Sequence, residues 1–124
     1  MKILFCGSRD FKNKEVIRNV ISNLPKDTIV IHGCANGADT IAGDIAKEYN
    51  LKVLEFPADW NKYGKGAGPI RNKQMLDEGK PDLIYAFFTS KIFSKGTRNM
   101  INQAKEYNIK VIEYEEMKFE VGSW

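Results

Sequence analysis

The sequence predicts an α/β fold: a Rossmann-like, doubly wound parallel sheet of about five strands with helices on both faces. Three observations predict it. Short apolar runs alternate with amphipathic segments along the chain, and right-handed crossovers turn that alternation into a parallel sheet. The strand-like runs before the last one lead into glycine-bearing loops, which such a sheet gathers at one edge. The chain has 124 residues, 43% of them hydrophobic and 28% charged, an ordinary composition for a single domain able to bury a core.

Residues 2–6 read as the first strand, with one lysine and four apolar residues before Gly7, too brief for a signal peptide. Residues 13–24 form a helix with Val16, Ile17, Val20, Ile21 and Leu24 on one stripe, and Pro25-Lys26-Asp27 breaks it. Residues 28–32 form the second strand. The helix over residues 39–49 faces Ile41, Ala42, Ile45, Ala46 and Tyr49 inward, Asn50 ends it, and residues 52–56 form the third strand. Pro69 starts a helix over residues 69–78 that Gly79-Lys80-Pro81 stops. Residues 83–88 form the fourth strand, residues 97–107 a helix carrying Met100, Ile101 and Ala104, and residues 110–114 the fifth strand after Asn108. The tail, residues 115–124, alternates Met117, Phe119 and Val121; an added strand, an edge cover and a contact with a second copy all fit it. The whole of residues 1–124 reads as one ligand-binding domain.

Nineteen basic and sixteen acidic side chains give a net charge of +3. That balance, without a basic run, argues against nucleic acid as the partner. No apolar run reaches the ~20 residues of a membrane span, and nothing directs export, so a cytoplasmic location is expected. Cys6, Cys34 and the single histidine, His32, are too few for a tetrahedral metal site. Neither a metal nor a cofactor is expected. The cysteines read as reduced thiols and His32 as a hydrogen-bonded histidine at a strand end.

The loops carry the chemistry. Gly7-Ser8-Arg9 offers a close backbone approach, a hydroxyl and a planar guanidinium fork; a plain turn with a surface arginine is the alternative. Gly33-Cys34-Ala35-Asn36-Gly37-Ala38-Asp39 is a glycine-rich turn that opens a helix, though its spacing is not the dinucleotide fingerprint. Asp39 suits either an N-cap or hydrogen bonds to ribose hydroxyls. Ser94-Lys95-Gly96-Thr97-Arg98 combines free helix N–H groups, the Thr97 hydroxyl and flanking cations, the best phosphate cradle in the chain.

The longest loop, residues 58–72, brings together Asp59, Trp60, Tyr63, Gly64, Lys65, Gly66, Gly68, Arg71 and Asn72. Asp59 is the acid with the best claim to a site role. Trp60 and Tyr63 suit stacking on a base, closing a lid, or plugging the loop against the body. Arg71, one turn into a helix aimed at the same edge, is the foremost ligand contact.

Together, Gly7-Ser8-Arg9, His32-Gly33-x-Ala35-x-Gly37-Ala38-Asp39, Ala58-Asp59-Trp60…Gly64-Lys65-x-Ala67-Gly68-Pro69-x-Arg71-Asn72…Met75 and Lys95-Gly96-Thr97 resemble the short, YspA-like (YpsA-related) branch of the SLOG superfamily. The resemblance runs in order over nearly the whole chain. It implies a Rossmann-like fold and kinship with DprA, with the LOG phosphoribohydrolases and with sensor domains for nucleotide-derived signals such as NAD or ADP-ribose derivatives. Small proteins of this kind occur in phages, and homo-oligomers are common among them. The implied function is binding of a nucleotide-derived small molecule, NAD- or ADP-ribose-like or a cyclic nucleotide signal, at the sheet edge, as a sensor or as a sponge that sequesters a signal. The alternative is an N-glycosidic hydrolase, in which Asp59 or Asp39 would be catalytic. The LOG motif has a catalytic Glu where this chain has Met100, and methionine is no acid, base or charge stabiliser, so that activity does not carry over by resemblance.

Overall fold

The computed structural model describes residues 1–116. The elements run β1 (Lys2–Gly7), α1 (Lys14–Ser22), β2 (Ile29–His32), α2 (Ala38–Glu48), β3 (Lys52–Glu55), the short α3 (Trp60–Tyr63), α4 (Ala67–Gln74), β4 (Leu83–Phe88), α5 (Lys95–Glu106) and β5 (Val111–Glu115). The five strands form one parallel sheet in the order β3-β2-β1-β4-β5.

Alternation across the pleat builds two cores. Ile3, Phe5 and Phe87 turn to one face and pack with Ile17 and Ile21 of α1 and Ala42, Ile45 and Ala46 of α2. Leu4, Cys6, Ile84, Ala86 and Phe88 turn to the other, against Met75 and Leu76 beyond α4 and Met100, Ile101 and Ala104 of α5. Each fully buried side chain of this size contributes ~1.5–3 kcal/mol relative to exposure. No helix among the described residues is long and apolar enough to cross a membrane.

Four departures from the sequence reading have local causes. Tyr49, expected inward, is the exposed C-cap residue of α2; the buried place beyond the helix belongs to Leu51. Helix α4 starts two residues before Pro69, at Ala67, because the third residue of a helix needs no intrahelical N–H. It runs on as a π-helical turn, Met75–Gly79, closed by Lys80 at φ 50°, and the wider turn buries the adjacent pair Met75 and Leu76. Helix α5 starts at Lys95 with Ser94 as its N-cap residue. The expectations for Met117, Phe119 and Val121 lie outside the described residues.

Strand β1 ends in a contact that tolerates no side chain. In the β1–β4 register Gly7 lies beside Phe87, and a Cβ on Gly7 would sit 2.1 Å from the Phe87 carbonyl oxygen and 2.6 Å from the Ala38 Cβ. Gly7→Ala is therefore expected to destabilise the fold by ~1–3 kcal/mol or more through overpacking, read as a lowered urea midpoint; an unchanged midpoint would contradict the packing described.

Candidate ligand-binding site

The chain builds β2 and β3 on one side of β1 and β4 and β5 on the other. Loops leaving β1 and β4 therefore diverge to opposite faces and leave a crevice beyond the strand ends. A cavity of about 840 Å³ occupies it, walled by the loops after β1 and β4 and by the first turns of α4 and α5. A smaller chamber of about 370 Å³ adjoins it, over the loops after β2 and β3. Arg9, Ala35, Trp60 and Arg71 line both. The Arg9 guanidinium lies 5.9 Å from the Trp60 ring centroid, within cation–π range, so this pair marks the division.

The two loops flanking the crevice are tied through hydroxyls. The Ser8 amide donates to the Phe87 carbonyl at 2.9 Å. The Thr89 amide donates to Ser8 Oγ at 3.0 Å, Ser94 Oγ donates to the Ser90 carbonyl at 2.9 Å, and the two serine hydroxyls meet at 2.5 Å. With the Ser94 proton committed to Ser90, Ser8 is the donor between them. Ser94 therefore makes no side-chain cap on α5. The first-turn amides of Lys95, Gly96 and Thr97 have no intrahelical partner, and these residues line the larger cavity. A Cβ on Gly96 would meet nothing within 4 Å.

The loop after β2 is held by its own backbone. Asp39 does not cap α2, whose N-cap residue is Gly37; its Oδ2 instead accepts from the Gly33 amide at 2.8 Å. Arg71 Nη1 donates to the Gly33 carbonyl, and a Cβ on Gly33 would strike that guanidinium at 2.5 Å. Burial raises the Asp39 carboxyl to about 6, against the opposing pull of the Gly33 amide and Arg71. Burial likewise lowers Arg71, while Asp39 draws it back up. Gly37, at φ 80°, leaves room for the Ser8 and Arg9 carbonyls. His32 is buried and its Nδ1 accepts from the Cys34 amide at 3.0 Å, so it braces the loop in its neutral form, in keeping with burial lowering its pKa. Cys6 and Cys34 are free thiols, and no metal-holding group of side chains occurs among the described residues.

Of the residues anticipated as ligand contacts, Gly7, Ser8, Arg9, Ala35, Asp39, Trp60, Lys65 and Gly68 line the larger cavity. So do Arg71, Asn72 and the stretch Ser94, Lys95, Gly96 and Thr97, while Gly33 lines the smaller chamber. Asp59 stands apart. It is exposed and N-caps α3, accepting from the Lys62 amide at 3.0 Å, and it lines neither chamber. Gly37, anticipated as a ligand contact, and Tyr63 also line neither. Asn72 is buried: its amide donates to the Gly96 carbonyl at 3.2 Å and to Asn99 Oδ1 at 3.1 Å, while its oxygen accepts from Arg71 Nε at 3.1 Å. Unanticipated wall residues include Thr89, Phe93 and Asn99; for Phe93 the signal was the apolar pair Ile92-Phe93 in an otherwise polar loop.

The Asp39 carboxyl binds its proton more tightly folded, at about 6, than at its ordinary 3.8. Stability from this group is complete below pH 4 and lost as pH rises through 6, a change on the order of 3 kcal/mol. Asp39→Asn, which keeps an acceptor for the Gly33 amide, should flatten that segment of the pH–stability curve. Identical wild-type and variant urea midpoints from pH 4 to 7 would refute it.

Comparison with known proteins adds sequence kinship and fold kinship. The chain is 32% identical over 122 residues to the Gene 61 protein of Mycobacterium phage D29, covering 91% of this chain and 95% of that one. Its fold is similar to that of DNA processing protein A (DprA) from Streptococcus pneumoniae, at a TM-score of 0.75 and 18% identity over 96% of this chain. The chain spans about half the length of that protein, 52%. The family model described as YspA, cpYpsA-related SLOG family matches residues 1–63, half of the chain. The cavity at the strand-order reversal, walled by the same glycine loops that mark the sequence, thus sits in a protein that belongs to the YspA, cpYpsA-related SLOG family.

Proposed function

We propose that the protein binds a nucleotide-derived, phosphorylated small molecule in the crevice between β1 and β4. The observation that carries this reading is the convergence of donors on one cavity. Lys95, Gly96 and Thr97, in the first turn of α5 that no side chain caps, line the same space as Arg9, Lys65 and Arg71. Amides at a helix start and guanidinium forks suit phosphate oxygens. Gly96 leaves the approach open. Ser8 and Ser94 act as scaffolding, so phosphate recognition falls to backbone amides, Thr97 and the cations.

Binding without turnover is the reading favoured. Met100, at the LOG glutamate position, is fully buried and apolar, and Asp59 is occupied as a helix cap away from the cavity. A molecule held without being consumed fits a sponge for a nucleotide signal, a role in keeping with a phage relative. One observation favours the N-glycosidic hydrolase instead: Asp39, raised to about 6, lines the cavity, and a carboxyl so tuned suits acid–base work. The test is release of free base from nucleoside monophosphates. A hydrolase loses it in Asp39→Asn, and a binder has none to lose.

Mass spectrometry of small molecules released on denaturing the purified protein should find a ribose-phosphate species. Arg71→Ala should weaken its rebinding about tenfold or more, as loss of a charge-assisted bond implies. A folded Arg71→Ala protein with wild-type affinity would remove Arg71 from the site.

A further inference from the structure

Two aromatic residues stand at the mouth of the larger chamber largely in water. Phe93 is 85% exposed and Trp60 is 49% exposed, yet both line the chamber that the first turn of α5 also lines. A large ring held so far into solvent gives up the stabilisation that burial would bring. The backbone behind Phe93 is fixed. Its amide donates to the Ser90 carbonyl at 3.2 Å, the next amide donates to the Lys91 carbonyl at 3.2 Å, and Ser94 is tied to Ser8. Trp60 is seated over Gly68, where a Cβ would lie 3.5 Å from the indole, with Arg9 near its ring.

We infer that Phe93 and Trp60 form the two sides of a clamp for a planar heteroaromatic ring, and that Phe93 makes the site favour a nucleobase-bearing phosphate over a plain sugar phosphate. The inference rests on the phosphate-binding reading above. The two contributions are physically separable. Phosphate is met by amides and cations at the first turn of α5 and around Arg71, whereas the ring is met by the π-faces of Phe93 and Trp60, which accept any base.

The test compares ribose 5-phosphate, AMP and GMP by calorimetry on wild type, Phe93→Ala, Phe93→Leu and Phe93→Trp. Wild type should bind both nucleotides more tightly than ribose 5-phosphate. Phe93→Ala and Phe93→Leu should each weaken nucleotide binding about tenfold and leave ribose 5-phosphate unchanged, and Phe93→Trp should retain wild-type discrimination. In a Trp124→Phe background, Trp60 emission should respond to AMP and not to ribose 5-phosphate. Equal losses for all three probes, or no loss for any, would overturn the clamp. So would a Phe93→Ala protein that dissociates in sedimentation while binding nucleotides normally, since Phe93 would then serve contact between copies. Failure of wild type to bind any of the three overturns the phosphate-binding reading itself.

Discussion

The contact between Gly7 and the Phe87 carbonyl sets the geometry of everything at the sheet edge. Two strands from distant parts of the chain are brought so close at their carboxyl ends that one must have no side chain. The closeness puts Ser8 within reach of both Thr89 and Ser94. A crevice between diverging loops is therefore held at a definite width by a relay of hydroxyls. Each hydroxyl has its proton and one acceptor site assigned, and satisfied groups of this kind do not drift in a low-dielectric setting.

A second brace uses a single peptide unit. The Gly33 amide is taken by Asp39 of α2 and its carbonyl by Arg71 of α4. An acid and a base from different helices thus act on the two ends of one glycine, and each lowers the cost of the other's burial. The guanidinium is only partly enclosed and still lines both chambers. Arg71 therefore braces the loop after β2 while directing a positive field into both chambers.

The sheet and its helices were legible because period and punctuation agree: Ile17 and Ile21, or Met100, Ile101 and Ala104, fall on stripes that the strands cover. The edge where the loops meet was legible for the same reason, since a parallel sheet leaves loops after strands no other place. Side-chain direction was not. Asp59 and Asp39 were both plausible as ligand contacts by residue type. Asp59 closes a turn of helix too short to show periodicity and lines neither chamber, whereas Asp39 lines the larger cavity while reaching back six residues to an amide. Asn72 and Ser94 line the cavity, but the partners of their side chains, Gly96, Asn99 and Ser90, depend on packing and could not be read from residue type. Tyr49 lay on the right stripe but one residue beyond the helix that would have buried it.

Asn72 gears the site together. Its one buried amide touches the carbonyl of Gly96 in the opening turn of α5, and its oxygen touches the Arg71 side chain. Any tightening of that opening turn around an anion pulls on the same planar group that orients the guanidinium. The guanidinium and the opening turn of α5 cannot be re-aimed independently. On the proposed phosphate-binding reading, a guest whose charged groups are spaced wrongly meets resistance from both at once, and fussiness about spacing comes built into the shared side chain rather than into either arm.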